Sequence, residues 1–151
     1  MRALSARELH ERLARRGVPG REIEDVVSSL RARGYLDDRA LAYNVAASRA
    51  NALFGRSRVA AELMRRGVER GTIAEAVARA FADHDEDDLA CRAAIKLLGS
   101  RSSPDSERAR VRLARSLLRR GFSRGAVRKA LVSVMGAAAV ENDDDELETD
   151  A

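Results

Sequence analysis

A chain of 151 residues, 34% charged and 3% aromatic with a single cysteine, can hold one domain or a short array of repeats and cannot form an intramolecular disulfide. Its hydrophobic share of 45% is dominated by alanine, which favours helix over bulky sheet packing. The net charge of +4 conceals an asymmetry: residues 1–140 carry 28 bases against 17 acids, a balance of +11, whereas residues 141–151 hold seven acids and no base. An Arg-rich body of this kind suits a polyanionic partner or an acidic protein face, although a solvated Arg/Glu surface has the same composition. No apolar run has the length of a signal-peptide core or a membrane span, so a cytoplasmic, reducing location is expected.

In chain order, Ser5-Ala6-Arg7-Glu8 has the form of a capping box. The helix it opens turns Leu9 and Leu13 inward and ends at Gly17, a left-handed cap. Pro19-Gly20 makes a short turn, and a second helix runs from about Glu22 to Arg33, stopped by Gly34. Two short helices joined this tightly must share a small apolar patch. Asp37 or Asp38 caps a third helix, from about Arg39 to Ala52, with Leu41 and Val45 inward. Gly55 marks the next turn. A unit starting near Ser57 then buries Val59 and Leu63, passes Gly67 and reaches Phe81.

His84-Asp85-Glu86-Asp87-Asp88 lies 50 residues on from the Asp37-Asp38 stretch and starts a helix with Cys91, Ala94, Ile95 and Leu98 inward at helical spacing. Gly99 to Pro104 is a polar linker, and Pro104-Asp105 suits a helix start. Val111, Leu113 and Leu117 face inward on the way to Gly121. Ser123 caps a last helix that fades after Met135. With no period-two run and no Asn-Gly or Asp-Gly hairpin turn, the eight helices make an all-α chain.

Three of these helix ends share one phrase, Leu-x-Arg-Arg-Gly, at Leu13–Gly17, Leu63–Gly67 and Leu117–Gly121, followed by Val18, Val68 or Phe122. Six residues after each Gly begins an apolar stripe at i, i+3, i+4, i+7: Ile23/Val26/Val27/Leu30, Ile73/Ala76/Val77/Ala80 and Val127/Ala130/Leu131/Val134. Repetition of a phrase with its sequel marks an internal repeat. The division it suggests is a first repeat without its leading helix (residues 1–34), three-helix repeats at 35–83 and 84–136, and a disordered acidic tail at 137–151. The residues thus give a basic, elongated helical repeat with a concave face.

Further phrases carry a resemblance. Ser5, Glu8, Leu9, Leu13, Arg16 and Gly17 form one. Gly34-Tyr35-Leu36-Asp37-Asp38 with Leu41-Ala42 forms the most specific. Arg49, Gly55, Glu62, Leu63, Arg66 and Gly67 form a third, and Leu117 with Arg119 to Ser123 closes the series. In these phrases and their order the chain resembles the RecX regulatory proteins, which modulate the bacterial recombinase RecA, over about residues 4–135. Two departures stand out: the family usually has a helix before the Ser-x-x-Glu-Leu phrase, and the acidic tail is outside its pattern. The resemblance implies tandem three-helix repeats in a curved, elongated array. It implies binding to RecA and to the RecA–single-stranded DNA filament, with inhibition of ATPase, strand-exchange and coprotease activities in recombination, DNA repair and the SOS response. It does not imply catalysis; no cofactor or metal is expected, and the chain is expected to be a monomer with at most weak non-specific DNA binding.

The candidate contact residues are arginines. Arg15/Arg16, Arg65/Arg66 and Arg119/Arg120 stand in the last turn of a helix, where a cation complements the helix dipole by about 0.3–1 kcal/mol. They also recur at equivalent places of a repeat, which would line them up for a partner. Arg108, Arg110, Arg112 and Arg115 crowd one helix, with Arg101 before it and Arg124, Arg128 and Lys129 after it, offset by Asp105 and Glu107; that density points to phosphate or an acidic surface. Arg49, Arg56 and Arg58 around Gly55 form a smaller cluster.

Other motifs have plainer readings. Asp37/Asp38 and Asp85–Asp88 read as helix caps, lacking the alternating oxygen ligands and turning Gly of a hard-cation loop. His10, His84 and the lone Cys91 cannot supply a zinc quartet; Cys91 reads as core. Tyr35, Tyr43, Phe54, Phe81 and Phe122 read as packing anchors at unit boundaries, not as a base-stacking platform. Gly17-Val18-Pro19-Gly20 lacks the Lys-Ser/Thr of a phosphate loop. Paired short helices also fit a helix-turn-helix transcription regulator, against which stands the lack of Asn or Gln on Glu22–Arg33 and Arg124–Met135. The acidic tail reads as a solubilising end or as an internal mimic of DNA.

Overall fold

The computed structural model describes residues 3–99 and 107–135. Every regular element among them is helical: α1 (Ala6–Ala14), α2 (Gly20–Ala32), α3 (Asp38–Asn51), α4 (Arg56–Arg65), α5 (Arg70–Ala80), α6 (Glu86–Leu98), α7 (Glu107–Arg119) and α8 (Arg124–Met135). The expected tail at 137–151, the linker Gly99–Pro104 beyond Gly99, and the Pro104-Asp105 helix start lie outside the described residues.

The starts follow from short polar side chains. Ser5 and Glu8 close the capping box, with Glu8 N–H donating to Ser5 Oγ at 3.1 Å and Ser5 N–H donating to Glu8 Oε2 at 2.9 Å. Asp37 Oδ1 accepts from Ala40 N–H at 2.9 Å, Asp85 Oδ1 from Asp88 N–H at 2.9 Å, and Ser123 Oγ from Ala126 N–H at 3.2 Å. Helix α2 begins at Gly20, with Pro19 at its N-cap, slightly before the expected start at Glu22.

The ends explain the repeated phrase. Gly17, Gly67 and Gly121 have φ of 80°, 77° and 90°. In each copy the residue after the Gly donates back to the Leu carbonyl: Val18 to Leu13 at 3.3 Å, Val68 to Leu63 at 3.1 Å and Phe122 to Leu117 at 3.4 Å. This is the Schellman closure, in which a glycine reverses the chain and apolar residues on either side of it meet. Leu63, Val68, Leu117 and Phe122 are all buried. The phrase is therefore, first, a helix terminator.

The chain gathers into two compact units, Met1–Ala50 with Val59–Ala82, and Asn51–Arg58 with Asp83–Ala151. The first is built around Ile23, Leu41, Leu63, Ile73 and Phe81, the second around Leu89, Leu117, Phe122, Val127 and Leu131, all buried. Within each unit small side chains complete the core: Ala42, Ala46 and Ala76 in the first and Ala93, Ala94 and Ala130 in the second are at most 1% exposed, which lets helix backbones approach closely.

Three expectations about the core need correction. In α6 the buried face is Leu89, Ala90, Ala93 and Ala94, not Cys91/Ala94/Ile95/Leu98; Cys91 is half-buried and Ile95 is 61% exposed. The equivalence with α3 runs from Asp37 to Asp85, so Leu41 corresponds to Leu89 and not to Cys91. Tyr35, expected as an anchor, is 77% exposed, because the chain buries Leu36 beside it instead. Along α2 only Ile23 is buried; Val27 and Leu30 are half-buried and Val26 is 41% exposed.

Candidate polyanion and partner interface

The fold separates the arginines into those that hold it together and those that face outward. In the first unit Arg66 belongs to the former. It is 8% exposed, and its guanidinium donates to both carboxylate oxygens of Glu8, at 3.1 and 2.9 Å, and to the Ala3 carbonyl. Ser5 Oγ donates to the Arg66 carbonyl. The start of α1 is thereby clamped onto the Arg66-Gly67 turn, with the Arg7 stem lying where a Cβ on Gly67 would sit, 2.1 Å from Arg7 Cδ. Arg49 is spent similarly: its fork grips Glu62 with bonds of 2.8 and 2.9 Å. That grip holds the Glu62 carboxyl below the usual carboxylate range and raises the Arg49 guanidinium.

The second unit repeats the clamp with different atoms. Gly55 N–H donates to the Arg120 carbonyl at 2.7 Å, and Ser57 Oγ to the Gly121 carbonyl at 2.8 Å. Arg120 donates to the carbonyls of Ala52 and Leu53, both at 3.2 Å, and lies 4.8 Å from the Phe54 ring centroid. Arg110 is buried at 4% exposure and paired with Glu107 at 2.8 Å. Arg49, Arg66, Arg110 and Arg120, four of the expected contact residues, thus have internal partners. Their charge is used on the fold because removing a fork from its carbonyls or carboxylate would leave those groups unmatched.

The outward set is different. Arg15 and Arg16 are exposed beyond α1, Arg15 reaching back to Glu11 at 3.8 Å. Arg56, Arg58 and Arg65 are exposed on α4. On α7 the buried residues are Ala109, Arg110, Leu113, Ala114 and Leu117, and Arg108, Arg112, Arg115 and Arg119 are all exposed. Their spacing of four, three and four places them on one helix face opposite the core. Arg119 donates to Ser116 Oγ at 3.3 Å. The helix's one acid, Glu107, is paired with the buried Arg110. Arg101 lies outside the described residues.

Sequence reasoning read α7 as a crowd of charge and missed the split between buried Arg110 and the four-arginine face. The i, i+4, i+7, i+11 spacing carries that signal. It also passed over Arg39 and Arg79, whose guanidiniums lie 5.6 and 5.1 Å from the Tyr43 ring centroid. Arg39 Nε donates to Tyr43 Oη at 2.8 Å and Arg39 pairs with Glu75 at 3.0 Å. Lys129 is held by Asp87, which raises the ammonium. Among the described residues no group of three His, Cys, Asp or Glu converges as a metal site, and no described helix is long and apolar enough to cross a membrane.

Comparison with known proteins fits this architecture. The second three-helix domain of RecX matches residues 37–77 and the third matches residues 85–131, which are the stretches of α3–α5 and α6–α8. The regulatory protein RecX of Halorhodospira halophila is 36% identical over 140 residues, covering 92% of this chain and 81% of the relative.

The chain belongs to the RecX family.

The RecX of Pelodictyon phaeoclathratiforme is 34% identical over 148 residues, with 97% and 88% covered, and that of Mycobacterium avium 32% over 137 residues, with 90% and 79% covered. A crystal structure of a regulatory protein RecX shares the fold at a TM-score of 0.65 and 20% identity, covering 82% of this chain and 61% of the other.

Proposed function

We propose that this chain binds RecA and the RecA filament on single-stranded DNA, and inhibits the ATPase, strand-exchange and coprotease activities of that filament. It does so in the cytoplasm, without catalysis or cofactor, as a modulator of recombination and DNA repair. Family membership supports the regulatory part of this reading. The observation that carries the contact is the face of Arg108, Arg112, Arg115 and Arg119 on α7, exposed and on the side of the helix opposite its buried residues. Its eleven-residue span extends over about 16 Å, long enough for guanidinium forks to meet several phosphates or carboxylates in succession. The exposed Arg15, Arg16, Arg56, Arg58 and Arg65 add to the attraction at longer range.

The test is ATP turnover by RecA on single-stranded DNA with increasing amounts of the protein. Inhibition at or below one molecule per RecA protomer is expected. The double reversal Arg112→Glu with Arg115→Glu is expected to lose at least about tenfold in potency while melting within a few degrees of the parent, as solvent-facing substitutions do. Unchanged turnover at stoichiometric protein ends the reading, and full potency of the reversal removes α7 from it.

A further inference from the structure

We propose that the cleft between α3 and α5 takes one unstacked base of a single-stranded nucleic acid, laid against the guanidinium of Arg79. The inference deepens the reading of this chain as a contact for the filament's single-stranded DNA, and rests on it for the identity of the polymer. Within the first unit, an open cleft of about 490 Å3 is lined by Tyr43, Asn44 and Ala47 of α3 and by Ala76, Arg79 and Ala80 of α5. Small-ligand sites run from about 300 to about 1,000 Å3, so the cleft has room for a base with its sugar.

Tyr43 fixes the cations at this cleft. Its hydroxyl accepts from Arg39 Nε at 2.8 Å and donates to Glu75 Oε2 at 3.1 Å, and Arg39 pairs with Glu75 at 3.0 Å. Arg39, Tyr43 and Glu75 thus satisfy one another. Arg79 is exposed and lies over the same ring, 5.1 Å from its centroid. The ring is taken up by two cations and is not itself a stacking platform. What it supplies is a guanidinium held in place, and a planar group held this way loses little freedom when a base stacks on it. The alanine methyls offer the sugar and ring an apolar floor. The exposed Asn44 amide brings both a donor and an acceptor to a base edge. Bases inside a duplex are stacked and paired, so a single strand must supply the ligand. Phosphate contacts such as those proposed for α7 hold a strand with or without its bases.

The experiment uses the full chain and two fluorescent single strands of equal length and charge, one of thymidine nucleotides and one abasic, with binding followed by anisotropy. The parent is expected to prefer the thymidine strand by about tenfold. Arg79→Ala should bring the preference below about twofold, and so should Arg79→Lys, which keeps the charge and removes the plane. The preference should persist in Arg70→Ala, which removes an exposed cation elsewhere on α5. Changing Arg112 and Arg115 to Gln should weaken both strands alike and leave the preference in place, so loss of the α7 contact and loss of the base site are told apart. A parent without preference overturns the proposal, as does a preference that survives both Arg79 variants. In the latter case, relief of RecA inhibition by the same variants would assign the cleft to a protein surface. If the chain holds neither strand, the DNA contact fails, and the Asn44 side-chain amide resonances decide on titration with thymidine monophosphate: a saturable shift supports the base site, and unmoved resonances end it.

Discussion

At the residue scale, the glycines and arginines of one repeated phrase do unequal work. Gly17, Gly67 and Gly121 share a left-handed φ, yet a Cβ on Gly17 meets nothing within 4 Å, whereas one on Gly121 would lie 2.4 Å from the Arg58 backbone nitrogen. Gly17→Ala is therefore expected to cost only the conformational strain, about 1 kcal/mol. Gly121→Ala must also push the start of α4 away and is expected to cost at least about 3 kcal/mol. Urea unfolding of the two variants measures the difference, and equal losses would mean that the close approach at Gly121 is not maintained. Arg66→Met should be similarly damaging, by about 3 kcal/mol, because it takes the guanidinium fork off Glu8 in a clamp whose side chains are 9% and 17% exposed, where the carboxylate keeps the Ser5 N–H of its capping box. The Arg49–Glu62 grip adds a pH dependence. Glu62 has its pKa lowered chiefly by the hydrogen bonds from Arg49, so its contribution is fully present above the unfolded carboxylate range and is lost as pH falls through the folded value. Glu62→Gln should flatten that part of the acid limb of a stability–pH curve; an unaltered limb would mean that the pair is not formed in solution.

Between residues and the molecule stand the helices, and here the sequence is a good guide to ends and an uneven guide to faces. Capping residues and the Leu-x-Arg-Arg-Gly phrase act over a few neighbouring positions, so Ser5, Asp85 and Ser123 and the glycine stops are legible from local chemistry alone. Faces depend on what arrives from elsewhere in the chain. In α6 the bulkier Cys91, Ile95 and Leu98 suggested the inward side, but the side chosen is Leu89 with three alanines, because small residues admit the neighbouring helix. In α7 the stripe was there to be read, but charge counting hid it. Buried Arg110 shows why: an arginine can lie along apolar surface when an acid meets its head. The consequence is testable in α6. Ile95→Lys should change stability by less than about 0.5 kcal/mol, as exposed substitutions do, while Leu89→Ala should cost about 2–5 kcal/mol. A large loss at Ile95 would restore the inward reading of that stripe.

On the scale of the whole molecule, what the sequence leaves hidden is long-range. Residues 51–58 join the second unit through bonds such as Ser57 to Gly121, 64 positions apart. The start of α1 is fixed by Arg66, 58 positions from Glu8. Pairings at such separations leave no periodic trace. Charge, by contrast, sums along the chain and can be followed through its salt dependence. If α7 supplies the polyanion contact, about four phosphates are neutralised when single-stranded DNA binds, giving a slope of log affinity against log salt near −2.8. Affinity should then fall about 50-fold between 50 and 200 mM salt. Changing Arg112 and Arg115 to Gln should reduce the slope by about 1.4 while leaving the melting temperature in place. A slope that ignores these two arginines, or one that is lost only when the exposed cations of the first unit are removed, would move the contact off α7. A slope near zero in every variant would point instead to a partner recognised through its protein surface, because an acidic protein face releases no condensed counterion layer and responds to salt far more weakly.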